Sequence, residues 1–394
     1  MSQRTQLPKN STLVRILNYR MKKYFTIYDR YIFKQVFFAT LVAILLFMVV
    51  WMAPEMLLNT IKHIFKNEYT VRKGMMLLAC EIPKILGKAF PVGLLLGSLF
   101  TFDKLSKDSE LTIFRAVGMS FFRIIAPLLV LSFFVTILCY ITCDKLIPYS
   151  CNKIMEIKER EAVTQFIYSL RDSNNHPRHA VIVSKFRKGI MSDVIVMDFA
   201  DTVYSDLHGL ENVMVGETGI KTVNEKGEPC WKLTNVISYD IFEDGVFDNI
   251  RKLDEVNVLE GKAAENAYTL MQYSTKRDRD INNRDLRKYV ALLKQENMDE
   301  QYRAMKNKYL QRFLHPFVCI LLAVLGALLG FSKPREQKFI GFLIAVGCIF
   351  LYYITLPFFD WLAEKGVLTP LIAASLPPLA FFAAIVAFYK SKDL

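Results

Sequence analysis

The chain has 394 residues, of which 53% are hydrophobic and 13% aromatic, and its mean hydropathy is +0.24. These figures exclude a disordered chain, a collagen-like fibre and a small disulfide scaffold, and they argue against an ordinary soluble enzyme. A net charge of +12 would suit a nucleic-acid binder, but its distribution does not. Residues 143–308 hold 25 basic and 27 acidic residues, while the mostly apolar remainder holds 25 and 11. A basic excess beside apolar runs is the positive-inside signature of an integral membrane protein.

In chain order, residues 1–32 read as a basic cytoplasmic segment. It does not read as a signal peptide, because the apolar run that follows is too long for an h-region and lacks a small-residue cleavage site. Apolar stretches at 33–53, 75–102 and 121–143 are each long enough to cross a hydrocarbon core of about 30 Å. The second is interrupted by Pro83, Lys84, Lys88 and Pro91 and reads as one kinked helix, since proline kinks are tolerated in membranes. Residues 144–282 form an inserted domain of short, β-branched, partly alternating segments, the pattern of an antiparallel sandwich or barrel. Residues 224–228 suit a hairpin loop. Helical spacing returns in a connecting helix over 283–311, and three further spans lie at 313–331, 339–358 and 368–389. The expected architecture is a polytopic α-helical membrane protein of six spans, three plus three, with a β domain between them.

Lys and Arg beside the spans number 17 on one side against five on the other. Both termini are therefore expected in the cytoplasm and the β domain outside it.

Few catalytic motifs survive inspection. The run from Gly216 to Thr222 fails as a phosphate loop, because its lysine does not directly follow the second glycine. No G-x-S-x-G elbow exists. His176 and His179 are two potential ligands without a third, so solvated loop histidines are expected. Four of the seven cysteines lie in apolar spans, while Cys143 and Cys151 are near enough in sequence to pair. Lys84 and Lys88, four apart, share one helical face near the edge of span two, with Glu55 and Glu81 at a similar level. Ionisable groups at such depth point to function, the alternative being that both lysines snorkel to the interface. Between spans two and three, Ser106 or Asp108 suits the cap of a short helix. Its residues Leu111, Phe114 and Val117 would share a face, and Gly118 would end it. Such a helix suits docking into a partner's groove.

The chain resembles the LptF/LptG family of lipopolysaccharide-export permeases, the membrane subunits of an ABC transporter. The resemblance rests on Asp29-Arg30-Tyr31-Ile32, on Pro83-Lys84 and Pro91, and on the run from Leu105 to Ser120 with its Ser109-Glu110, Arg115-Ala116 and Gly118. The run from Gln311 to Pro316, and Pro377, also match. The resemblance implies a location in the bacterial inner membrane and pairing with a second permease of the family, the same or different. It implies a cytoplasmic ATPase dimer that carries the ATP and Mg²⁺, so no cofactor is expected on this chain. Asp108, Ser109, Glu110, Arg115, Ala116 and Gly118 would receive the ATPase stroke. Lys84, with Lys88 and Lys62, would face the headgroup of an anionic glycolipid. The β domain would be a β-jellyroll handing lipid to a periplasmic bridge protein. Two other readings remain at this point: a membrane enzyme acting on lipid-linked sugars or phosphates, and a permease that transmits force but moves no lipid.

Overall fold

The computed structural model describes residues 26–52, 56–158, 166–171, 177–187, 189–199, 210–224, 226–241, 247–331 and 339–391. The sequence reading of the basic segment before residue 26, of Glu55, of His176 and of the loop carrying Lys333, Arg335 and Lys338 falls outside these residues. The chain divides into two compact units, Met1–Leu146 with Leu310–Leu394, and Ile147–Tyr309.

The first unit is a helical bundle. It contains α1 (Ile27–Met52), the short α2 (Leu58–Phe65), α3 (Val71–Lys107), α4 (Glu110–Ala116) and α5 (Phe121–Ile141). Among the described residues, six helices are long and apolar enough to cross a membrane, as the apolar stretches predict. The second span is longer than its apolar stretch: α3 runs through both prolines as one 37-residue helix. Pro91 has no N–H to give the Gly87 carbonyl four residues earlier. The Cys139 thiol lies 3.8 Å from that oxygen and His315 also bonds it, so neighbouring helices repair the break.

Close helix approach organises the bundle. Gly93 and Gly97 of α3 lie against α1, and a Cβ at Gly97 would fall 2.6 Å from the Thr40 backbone. Gly330, at the end of α9 (Asp299–Gly330), approaches α3 as tightly, its Cβ position lying 2.8 Å from the Leu99 carbonyl. Gly326 one turn earlier meets Leu95 and Ser98. Both pairs have the small-x-x-x-small spacing that lets backbones approach where lipid offers no hydrophobic contrast. Two outer helices complete the unit, α10 (Phe339–Glu364) and α11 (Pro370–Ser391).

The third span does not stop at residue 143. A five-residue π-helical turn, Thr142–Leu146, follows α5 and leads into α6 (Ile147–Lys158). The second unit holds α6 and six strands: β1 (Phe166–Arg171), β2 (Pro177–Arg187), β3 (Ile190–Phe199), β4 (Leu210–Val223), β5 (Pro229–Ile241) and β6 (Phe247–Glu260). They form one antiparallel sheet in the order β1-β2-β3-β4-β5-β6. Among the described residues every strand pairs with its sequence neighbour, as sequential hairpins dictate. The 224–228 loop is a hairpin turn as expected, with Asn224 Oδ1 accepting from the Lys226 and Glu228 amides at 3.0 Å.

After the sheet, residues 261–274 form α7 (Gly261–Ser274), because Ala264, Ala267, Leu270 and Met271 make a buried helical stripe. The connecting helix is two helices, α8 (Asn283–Gln295) and α9, separated at Asn297, whose φ is 53°. Stripes on α7 and α8 cover one face of the sheet, packing on Tyr168, Val181, Val194, Trp231 and Leu233. Trp231 Nε1 donates to the Ala264 carbonyl at 3.0 Å. Tyr168 donates to Glu296 at 2.6 Å, and burial, reinforced by that carboxylate, pushes its phenol up.

Candidate functional site

Three features of the two units bear on function. The first is α4. Its start is set by Ser109, which adopts a left-handed conformation with φ 62° and makes no side-chain cap. Neither predicted cap is used. The Ser106 hydroxyl instead donates to the Gly330 carbonyl at 3.0 Å, satisfying one of the orphan acceptors at the end of α9. The Asp108 amide closes α3 on Lys104. Gly118 does end the helix, with φ 86°. Its amide bonds the Arg115 carbonyl and that of Met119 bonds Phe114, a Schellman closure.

The helix is amphipathic, but its face differs from the expected one. Leu111 is buried and Phe114 is partly buried, whereas Val117 is 78% exposed. Val117 and the exposed Ile113 lie one turn apart beside exposed Asp108, Thr112, Arg115 and Ala116. Glu110 is half-buried, and its carboxylate accepts a 2.8 Å hydrogen bond from Tyr31 of α1. The Tyr28 ring meets Phe114 edge-on with centroids 4.6 Å apart, and its hydroxyl donates to the Ile124 carbonyl at 2.9 Å. Between these tyrosines, Asp29 takes a bidentate pair from Arg123 at 2.8 and 2.9 Å. A buried carboxylate needs such pairing. Sequence reasoning used Asp29 and Tyr31 only as marks of a resemblance and gave Tyr28 and Arg123 no role. An acidic residue in the first turn of an apolar span was the available signal, but its partner lies 94 residues away.

The second feature is the lysine pair on α3. Lys84 and Lys88 are both half-buried and one turn apart. Lys84 Nζ contacts Glu81 at 2.9 Å, so Glu81 does neutralise it. Lys88 Nζ stands 4.8 Å from the Trp51 ring centre, a cation–π contact, and its backbone carbonyl accepts from Tyr353 at 2.9 Å. Lys62 stands apart. It lies exposed on α2, which packs on α3 where Thr60 and Ile64 surround Gly74. Ten helical residues separate Gly74 from Lys84, about 15 Å along the axis.

The third feature is the sheet face that α7 and α8 leave bare. Strand register sets Ile167, Ile182, Ile195, Val215 and Ile237 in one row across β1 to β5. A parallel row carries Ala180, Met197, Val213, Tyr239 and Ile250. Ile167 is 60% and Ile250 64% exposed. Apolar residues on both sides of a sheet give it two cores to fill, and among the described residues α7 and α8 cover one.

Among the described residues no group of three or more His, Cys, Asp or Glu converges as a metal site. His179 pairs with Asp198 at 2.7 Å, and no disulfide joins Cys143 to Cys151. Asp360 receives a 2.6 Å bond from Gln311.

Six helices able to cross a membrane, with a six-stranded antiparallel sheet inserted between the third and the fourth, define a polytopic membrane protein. Residues 30–391 match the model of the lipopolysaccharide export system permease LptF/LptG, and the chain belongs to that family. It is thus a multi-pass inner-membrane protein of lipopolysaccharide export, a transporter component and not a catalytic enzyme. Comparison with individual characterised proteins gives no match.

Proposed function

We propose that this chain is the membrane subunit of an ATP-driven exporter that extracts lipopolysaccharide from the inner membrane and passes it to a periplasmic bridge protein. The observation that carries the reading is α4, a short helix with Ile113 and Val117 exposed on its outer side while its inner side is bonded to α1. Such a helix presents knobs to a partner's groove on a rigid seat. In this reading the partner is a cytoplasmic ATPase dimer, which carries the ATP and Mg²⁺. Asp108, Ser109, Glu110, Arg115, Ala116 and Gly118 form or shape the docking segment.

Both termini then lie in the cytoplasm, and a second permease of the family completes the lipid cavity. Lys84 and Lys88 attract the phosphorylated headgroup, with Lys62 acting at a separate level. Acyl chains find apolar surface on the bare face of the β domain. An edge strand, β1 or β6, offers unpaired backbone groups to the bridge protein.

The test is affinity purification of the tagged chain from its native membrane, followed by photocrosslinking from position 84. Retention of a soluble ATPase and a crosslink to lipopolysaccharide support the reading. Purification without an ATPase, or with one but without any lipid adduct, contradicts it.

A further inference from the structure

We infer that α2 is an interfacial anchor that lies in a headgroup layer of the membrane and holds anionic glycerophospholipids there. The inference goes beyond the export reading and needs only that α3 crosses the membrane. Eight helical residues rise about 12 Å, too little to span a core of about 30 Å. The depth of α2 follows from α3. Gly74, on which Thr60 and Ile64 of α2 pack, and Lys104, in the last turn of α3, stand some thirty residues apart, about 45 Å along the axis. A whole bilayer with both headgroup layers measures roughly that much. With Lys104 at one surface, α2 sits in the headgroup layer of the other.

Helical spacing puts Leu57, Leu58, Ile61 and Phe65 in one stripe about 100° wide. All four are exposed, Phe65 by 84%, and no residue of α2 is buried. The stripe is turned roughly a quarter of the circumference from Thr60 and Ile64, so packing on α3 leaves it bare. Lys62 and Lys66, both exposed, border it on the side away from α3. Their aliphatic stems can follow the stripe while the ammonium groups reach lipid phosphates. Polar Asn59 and His63 occupy the opposite face. The corner after α2 keeps the stripe presented. Asn67 turns there with φ 56°, and the His63 carbonyl accepts from the Glu68 and Tyr69 amides at 3.0 and 3.3 Å. The His63 imidazole pairs with Glu68 and lies 5.0 Å from the Tyr69 ring. An apolar stripe edged by cations complements acyl chains topped by anionic phosphates. Lys84 lies about 15 Å away along α3, so Lys62 and Lys66 meet a different set of phosphates.

The test places the photocrosslinker benzoylphenylalanine at position 65 of the full chain, purified with whatever partners it retains. The protein is reconstituted in nanodiscs of phosphatidylcholine with a minority of phosphatidylglycerol and no lipopolysaccharide. Mass spectrometry should find phospholipid adducts in which phosphatidylglycerol is enriched about fivefold or more over its bulk ratio, the scale of one lysine at an anionic surface. Lys62→Gln combined with Lys66→Gln should return the ratio to the bulk value. Total adducts should persist, because both side chains are exposed and the stripe is intact. The same probe at Asn59, on the opposite face, should capture little lipid. Adding lipopolysaccharide should leave the phospholipid adducts in place. Failure to capture phospholipid at 65, equal capture at 59 and 65, or a ratio unmoved by the double variant would each overturn the anchor. So would crosslinks to a protein partner in place of lipid, or displacement of the phospholipid adducts by lipopolysaccharide. None of these outcomes bears on the docking role of α4.

Discussion

The two most different spans in the bundle are α3 and α10. In their most apolar windows, 78% of α3 is buried and only 11% of α10. Composition alone hides the contrast, since the exposed α10 is the more hydrophobic of the two. The buried helix carries the tightly packed Gly93 and Gly97, with Pro83, Pro91, Lys84 and Lys88. The exposed one presents Leu343, Phe350, Ile354 and Trp361 outward. In a membrane, apolarity marks the surface that meets lipid or another subunit, and small or polar residues mark the interior.

Glycine substitution tests that contrast most severely. Gly326→Leu drives a side chain into Leu95 and Ser98 of α3, overpacking that costs about 3 kcal/mol, and folded protein in the membrane should fall sharply. Gly347 on α10 has nothing within 4 Å of an added Cβ. Gly347→Leu should change stability by no more than roughly 0.5 kcal/mol. Thermal melts in detergent compare the two. Equal losses would break the division into inner and outer helices.

The lysines come next. Lys84→Glu sets a second carboxylate beside Glu81 and reverses a half-buried charge, so crosslinking to lipopolysaccharide should drop at least about tenfold while insertion persists. Lys84→Arg should retain most of it. Glu81→Gln sharpens the point: by releasing Lys84 from its 2.9 Å partner it should raise crosslinking. A snorkelling lysine without a headgroup role predicts no change in any of the three.

On α4, Ile113→Asp adds a charge on an exposed face and should leave the melt unchanged while weakening ATPase retention about tenfold, the scale of an interface anchor. Glu110→Lys should act differently. It breaks the Tyr31 bond, so its effect should include loosening of α4 on the bundle, visible as faster proteolysis in the 105–118 segment. Identical proteolysis of the two variants would contradict the seated helix.

The smallest effect lies in the β domain. Burial pushes the Tyr289 phenol up to about 12 from an unfolded value near 10. Between those values the unfolded chain has lost the proton that the folded chain keeps, so stability falls as pH rises through that window. Tyr289→Phe should flatten the fall. An unchanged pH profile would place Tyr289 outside the core of the sheet and its helices.

The sequence made the spans, the exported-looking insertion, most strands and the 224–228 turn legible, because each is written in local periodicity. β1 has a weak signal in the letters, for its six residues carry little alternation. α7 was missed although Ala264, Ala267, Leu270 and Met271 sit at helical spacing, since alanines score weakly as an apolar stripe. The continuation of α5 into α6 was hidden by Pro148 and the polar residues after it, which mimic a helix end. For the candidate site, the lysine pair and Gly118 were readable from spacing alone. The seat of α4 was not, since Tyr31 and Glu110 are 79 residues apart, and no local pattern encodes such a pair. The glycine spacings at 93/97 and 326/330 were present in the letters, but only the packing shows which helix each one admits.

The central claim is that the chain helps drive lipopolysaccharide out of the membrane at the expense of ATP on a partner. Its most direct test is release of labelled lipopolysaccharide from proteoliposomes holding the purified complex to a soluble acceptor, with and without ATP and Mg²⁺. Release that requires both, and that is lost on Lys84→Glu at unchanged complex yield, is the predicted result. Release at the same rate without ATP, or hydrolysis that never moves lipid, would contradict the account.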